Sequence, residues 1–245
     1  MRPAGVAAQV GVETKLTLRR GESLIVTLGI PVGILVFFGN VDLVDLAREG
    51  YRDPLDFLVP GVLALAVMST AMVSLGISTG FERRYGVLKR LGTTPLGRSG
   101  LLTAKTLTVV TVEVIQALVI VVAALLLGWS PAGGVLSAAL VMIIGTIAFS
   151  GLGLLMAGTL RAEGTLAVAN GAYLLLLVLG GMAYPLQRLP LALRDVARVL
   201  PAASLAECLR GALTGVGIPG ARLAILIGWA VLAPLLAARS FRWEE

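Results

Sequence analysis

The side chains able to do chemistry are few, and the most conspicuous sits inside an apolar run. Glu113 stands near the middle of residues 101–127, and Thr103, Thr106 and Gln116 fall on the same helical face. A carboxylate at the centre of a bilayer costs about 2.5–3.5 kcal/mol on insertion scales, so its presence needs a reason. One reading is a polar stripe that lines a path or grips a cationic group. The other is a structural hydrogen bond across a helix or dimer interface.

Elsewhere the residue types argue against catalysis. The chain has no histidine, which removes Ser–His and Cys–His catalysis and every His-ligated metal site. Cys208 is the single cysteine. It cannot form an intramolecular disulfide and reads as a small packing residue. A nucleotide site needs a G-x-x-x-x-G-K-[ST] loop. The nearest approach, around Ala104–Lys105–Thr106, has no glycine before the lysine and Ser99 where the first glycine belongs. No cofactor is therefore expected on this chain.

The densest charge lies in Phe81–Gly100, where Arg83, Arg84, Lys89, Arg90 and Arg98 stand against one acid, Glu82. Apolar runs flank it, so it reads as an aqueous loop between two membrane spans. Within it Val87, Leu88 and Leu91 share one helical sector. That predicts a short amphipathic helix, capped by Gly92 and ended before Pro95. An exposed Leu88–Leu91 knob among charges suits a groove on a cytoplasmic partner. A plain basic loop that binds anionic headgroups is the alternative.

The elements that must position these residues follow from composition. Of 245 residues, 57% are hydrophobic and 14% charged, and the mean hydropathy is +0.94. A soluble domain is nearer a quarter charged, and several runs reach the ~20 residues that cross a bilayer. The fold expected is all-α and integral to the membrane, a single transmembrane domain over 1–245 with six spans at about 23–40, 57–80, 101–127, 135–160, 165–184 and 221–238. Residues 1–22 predict an amphipathic helix along the inner interface, not a signal peptide. Thr70, Ser74 and Ser78 recur every fourth residue and predict a helix–helix contact. Gly153 and Ala157 carry a close-packing spacing, and Trp129 fits an interfacial aromatic belt. Between the last two spans, 185–220 predicts two short amphipathic helices at the outer interface or dipping partway in, with Glu207 and Arg210 on the polar side of the second.

Most of the 20 basic residues then fall on the side holding both termini, while the acid-rich loop with Asp42, Asp45, Glu49, Asp53 and Asp56 falls on the other. The positive-inside rule predicts both ends in the cytoplasm of a plasma-membrane protein. No soluble domain is expected at either end. The net charge of +6 reads as basic loops facing lipid headgroups, and no nucleic-acid partner is expected.

The segment ERRYGVLKRLGTTPLGRSGLLTAKTL resembles the stretch after the second helix of type-2 ATP-binding-cassette (ABC) permeases. The matching residues are Glu82–Arg83, Gly86, Leu91, Thr94–Pro95 and Lys105. The downstream Pro185, Leu189–Pro190, Leu200–Pro201 and Arg210 resemble the family's outer segment. The resemblance implies the permease subunit of an exporter, which pairs with a second identical or paralogous copy and with two cytoplasmic ATPase subunits. It implies that Glu82, Arg83, Arg84, Tyr85, Gly86, Leu88, Lys89, Arg90, Leu91, Thr94 and Pro95 form the coupling helix and its flanks, which dock on the ATPase. It also implies alternating access, with drugs, lipids or polysaccharides as cargo.

Rival readings remain at this level. A secondary transporter would call for inverted repeats with broken helices, and no convincing internal repeat is visible. An intramembrane enzyme would need histidine or paired mid-span aspartates. A membrane assembly protein would not need an amphipathic basic loop.

Overall fold

The structure is a computed structural model that describes residues 3–19, 29, 31–37, 53–92, 97–182 and 184–243. The described residues are mostly helical and contain no strand. Helix α1 covers Pro3–Arg19, α2 Pro54–Arg84, α3 Val87–Gly92, α4 Gly97–Leu126 and α5 Val135–Thr159. Helix α6 covers Ala162–Leu179, α7 Leu191–Val199, α8 Pro201–Leu213 and α9 Gly220–Ser240.

Five of these, α2, α4 from Thr103, α5, α6 and α9, are long and apolar enough to cross a membrane. The expected span at 23–40 lies largely outside the described residues, although 31–37 is helical. The acid-rich loop lies outside them up to Asp53.

Helix α2 is the axis of the bundle. The Asp53 side chain caps it by accepting from the Leu55 N–H at 2.8 Å, and Pro54 occupies the first turn. The helix then runs without a charge from Phe57 to Phe81. Most of it is buried, with α4, α5, α6 and α8 packed around it. By contrast α6 and α9 turn Leu174, Leu175, Val178, Val231 and Leu235 outward, as helices facing lipid do.

Close approaches set this packing. Where α2 crosses α5, a Cβ on Gly153 would stand 2.7 Å from the Met72 carbonyl oxygen, so the predicted small-residue contact is real and its partner is α2. Across Met68–Ser74 the helix widens into a π turn. There Thr70 Oγ1 donates to Gln116 Oε1 at 2.8 Å. Ser74 and Ser78, below it, line a groove together with Lys105 and Thr108 of α4.

Three expectations change. The helix that carries the second span does not stop near residue 80. It continues to Arg84, which places Glu82, Arg83 and Arg84 on the last turn of a spanning helix. Trp129 is buried, at 3% exposure, with its indole N–H on Asp56 Oδ1 at 3.1 Å, so it closes the far end of the bundle instead of standing in an interfacial belt. Of the two helices after α6, only α7 is exposed. Helix α8 is buried along nearly its whole length between α2, α5 and α9.

Candidate functional site

The last turn of α2 reaches three other helices through three consecutive side chains. Glu82 meets Lys105, which lies in the first turns of α4. The Lys105 ammonium is 2.9 Å from Glu82 Oε1 and 2.7 Å from Oε2, and 3.7 Å from Glu13 Oε1 on α1. Lys105 is only 3% exposed. Taking an ammonium out of water costs several kcal/mol, and two flanking carboxylates offset that cost here. The same contact ties α1 to the bundle, while Val12 and Leu16 of α1 stay exposed.

Arg83 is buried at 4% exposure, and its Nη2 donates to the Leu160 carbonyl. Leu160 caps the C-terminus of α5, where unpaired carbonyls and the negative end of the helix dipole favour a cation. Arg84 pairs with Glu163 in the first turn of α6. That pair is exposed and contributes about 0–1 kcal/mol. The sequence Glu–Arg–Arg is thus a three-way clamp from α2 to α4, α5 and α6.

A tight turn follows. The Tyr85 N–H donates to the Phe81 carbonyl at 2.9 Å and the Gly86 N–H to the Arg83 carbonyl at 3.0 Å. Gly86 has φ +69°, a left-handed conformation that glycine takes without a steric cost. Helix α3 starts directly after it.

The outward face of α3 differs from the one expected. Leu88 is 1% exposed and packs inward, and Arg83 is held within the chain, so there is no exposed Leu88–Leu91 knob. Leu91 is half-buried. Tyr85 (67% exposed), Val87, Lys89 and Arg90 face outward, with Tyr85 stacked on Phe81 at 6.2 Å between ring centroids. A helical wheel separates these two sectors but does not say which one meets the bundle. Thr94 and Pro95 lie outside the described residues.

The polar residues of α4 are not brought together on one wall. Thr103 is exposed and Thr106 faces a groove against α5 and α9. Glu113 is buried at 4% exposure and accepts from Thr146 Oγ1 on α5. Gln116, also buried, accepts from Thr70 on α2. Glu113 and Gln116 therefore serve different helix contacts. Asn170 donates to the Leu166 carbonyl of its own helix.

At the far end Arg210 does what no residue there was expected to do. It is buried, with Nη2 on the Gly181 carbonyl, Nε 3.4 Å from the Phe57 carbonyl and its guanidinium 3.9 Å from the Phe57 ring centroid. It pins α8 to the first turn of α2 and to the end of α6. The other charged group of α8, Glu207, accepts from Arg222 Nε of α9 at 2.6 Å. Burial, with the Glu207 carboxylate adding to it and Arg222 opposing, pushes the Cys208 thiol up to about 11, which leaves it an unreactive packing group.

A sequence profile of the ABC-2 type transporter family matches residues 8–214, from within α1 to the end of α8. The chain belongs to the ABC-2 type transporter family. Both clamps, Glu82–Arg83–Arg84 and Arg210, fall inside the matched region of this ABC-2 chain. Membership makes it a permease subunit of an ABC transporter. No curated protein matches the chain.

Sequence reasoning missed Glu13, Leu160 and Glu163 as partners in this ABC-2 site. Only Glu163 left a signal, as an acid in the first turn after a basic turn residue, Arg161.

Proposed function

We propose that this chain is the membrane half of an ABC exporter that works as a pair of permease copies, identical or paralogous. Separate cytoplasmic ATPase subunits hold ATP and Mg and dock on the outward face of α3. Both termini of the permease lie in the cytoplasm, and the membrane is the plasma membrane.

The observation that carries this reading is the placement of α3 one glycine beyond the clamp. Tyr85, Val87, Lys89 and Arg90 offer an aromatic, an aliphatic and two cationic groups to a partner, a composition suited to a mixed apolar and acidic groove. Directly behind them Glu82, Arg83 and Arg84 hold α4, α5 and α6. A push on α3 would be shared among three spans at once. At the other end Arg210 ties α2 and α6 to α8, so a tilt of α2 would also move the outer helices. Closure of the ATPase pair would thereby switch access from one side of the membrane to the other.

The test is co-purification of the ATPase with Tyr85→Ala/Arg90→Glu and with Lys89→Glu, each checked for membrane insertion and thermal stability. Loss of the ATPase from a stably inserted permease is expected. Full retention by the double variant places docking elsewhere. Arg83 and Leu88 are poor probes, because both are buried and their reversal would damage packing as well as docking.

A further inference from the structure

Helices α5 and α9 run parallel and approach closely at two levels. At Gly151 an added Cβ would stand 2.5 Å from the Pro234 nitrogen, and at Gly158 one would stand 2.5 Å from the Phe241 ring and 2.9 Å from the Phe241 Cα. The two contacts are seven residues apart on both strands of the pair, the repeat at which parallel helices keep register. Glycine brings no side chain to such a contact, and a proline nitrogen carries no proton that would need a partner.

Past the last turn of α9 the chain folds onto the end of α5. The Arg242 N–H donates to the Gly158 carbonyl at 3.0 Å, one of the C-terminal carbonyls that a helix cannot satisfy within itself. Two residues further on, the Leu160 carbonyl accepts from Arg83. Arg83 of α2 and Arg242 therefore hold the same helix end. Toward its other end α9 holds α7 and α8. The Trp229 indole N–H donates to the Val199 carbonyl at 2.9 Å, and Arg222 donates to the Arg198 carbonyl at 2.5 Å and to Glu207 at 2.6 Å. Arg198 and Val199 are the last residues of α7, and Glu207 lies on α8. Trp229 and Phe241 stand roughly 18 Å apart along α9, at 1.5 Å per residue. One helix thus joins the end that carries the clamp to the helices at the far end.

We propose that Phe241, Arg242 and Trp229 are positioning residues of the coupling machinery. They make α9 an arm that carries a shift of the α5 end to α7, by a route separate from Arg210. The arm's role in transport rests on the docking proposed for α3, but its existence is tested without the ATPase, because a helix that links two sites must change one when the other is loosened.

Hydrogen exchange read by mass spectrometry follows the full chain in lipid nanodiscs. Phe241 has φ −67° and ψ 116°, a conformation that suits the residue before a proline. Arg242→Pro therefore removes the N–H without disturbing Phe241, and Arg242→Ala keeps the N–H as the control. Arg242→Pro should raise exchange by about fivefold over 191–200 as well as over 158–162, with Arg242→Ala as wild type. Trp229→Phe, which loses the indole N–H, should raise it over 191–200 alone. A change confined to 158–162 in Arg242→Pro is loss of a local cap and overturns the arm. If Arg242→Pro does not fold, Phe241→Ala, which withdraws the ring from Gly158, is read at the same two places with the same outcomes.

In the complex with the ATPase, trapping with ATP and vanadate should alter exchange over 191–200 in wild type and by about fivefold less in Arg242→Pro, at equal trapping. An equal alteration in both overturns the positioning role. A wild-type permease that fails to hold the ATPase overturns the docking on α3 and the role of the arm in transport, while the exchange of the permease alone still decides whether α9 links its two ends.

Discussion

The Lys105 ammonium lies 2.7 Å from the Glu82 carboxylate, across the gap between α4 and the last turn of α2. Glu82 is the first residue of the clamp, and Lys105 is the cation that fastens α1, α2 and α4 together. Lys105→Met should lower stability by about 1–3 kcal/mol, and the paired change with Glu82→Met should recover part of the loss, because the two side chains are coupled. Thermal unfolding of the single and double variants in detergent reads the coupling. Purely additive losses would show that the contact contributes nothing of its own.

Glu113 makes its described hydrogen bond with Thr146, a residue of the same chain. Glu113→Gln can still accept from that hydroxyl, so it should keep stability and assembly near wild type. Cargo flux into vesicles should also stay near wild type, for cationic and neutral cargo alike. A selective loss for cationic cargo would put the carboxylate back on a transport path.

Arg210 satisfies two carbonyls, those of Gly181 and Phe57, and lies on the Phe57 ring. Arg210→Leu leaves both carbonyls without it and should cost about 1–3 kcal/mol for each acceptor left unsatisfied. Arg210→Lys should recover little, since a point ammonium does not reproduce a planar fork. Melting temperatures of the two variants check this, and full recovery by lysine would show that charge alone matters.

Gly153 and Gly171 make an internal comparison. A Cβ at Gly153 meets the Met72 carbonyl at 2.7 Å, whereas at Gly171 it meets nothing within 4 Å. Gly153→Ala should destabilise by about 1–3 kcal/mol through overpacking, while Gly171→Ala should be neutral or add up to about 1 kcal/mol from lost chain entropy. Equal effects of the two in an unfolding assay would refute the α2–α5 crossing.

Much of this arrangement was legible from residue types alone. The uncharged runs marked the five spanning helices of the described residues, and the basic segment marked the turn that carries α3. The Glu82–Lys105 motif was visible as a pair of positions, though not as an ion pair. The outward side of α3 was not legible. Leu88 and Val87 are both aliphatic neighbours on a six-residue helix, and only contact with the bundle makes one buried and the other exposed.

The sequence by itself determined that this is a helical membrane protein with its charge gathered at one turn. Hydrocarbon leaves the backbone no partner but its own helix, so length and apolarity of a run suffice to define a span. Tertiary structure alone decided which charges meet. Arg83 finds a carbonyl 77 residues away and Arg210 one 153 residues away. Such partners depend on how closely helices cross, at places such as Gly153, and periodicity along one helix carries no information about the neighbour it will touch.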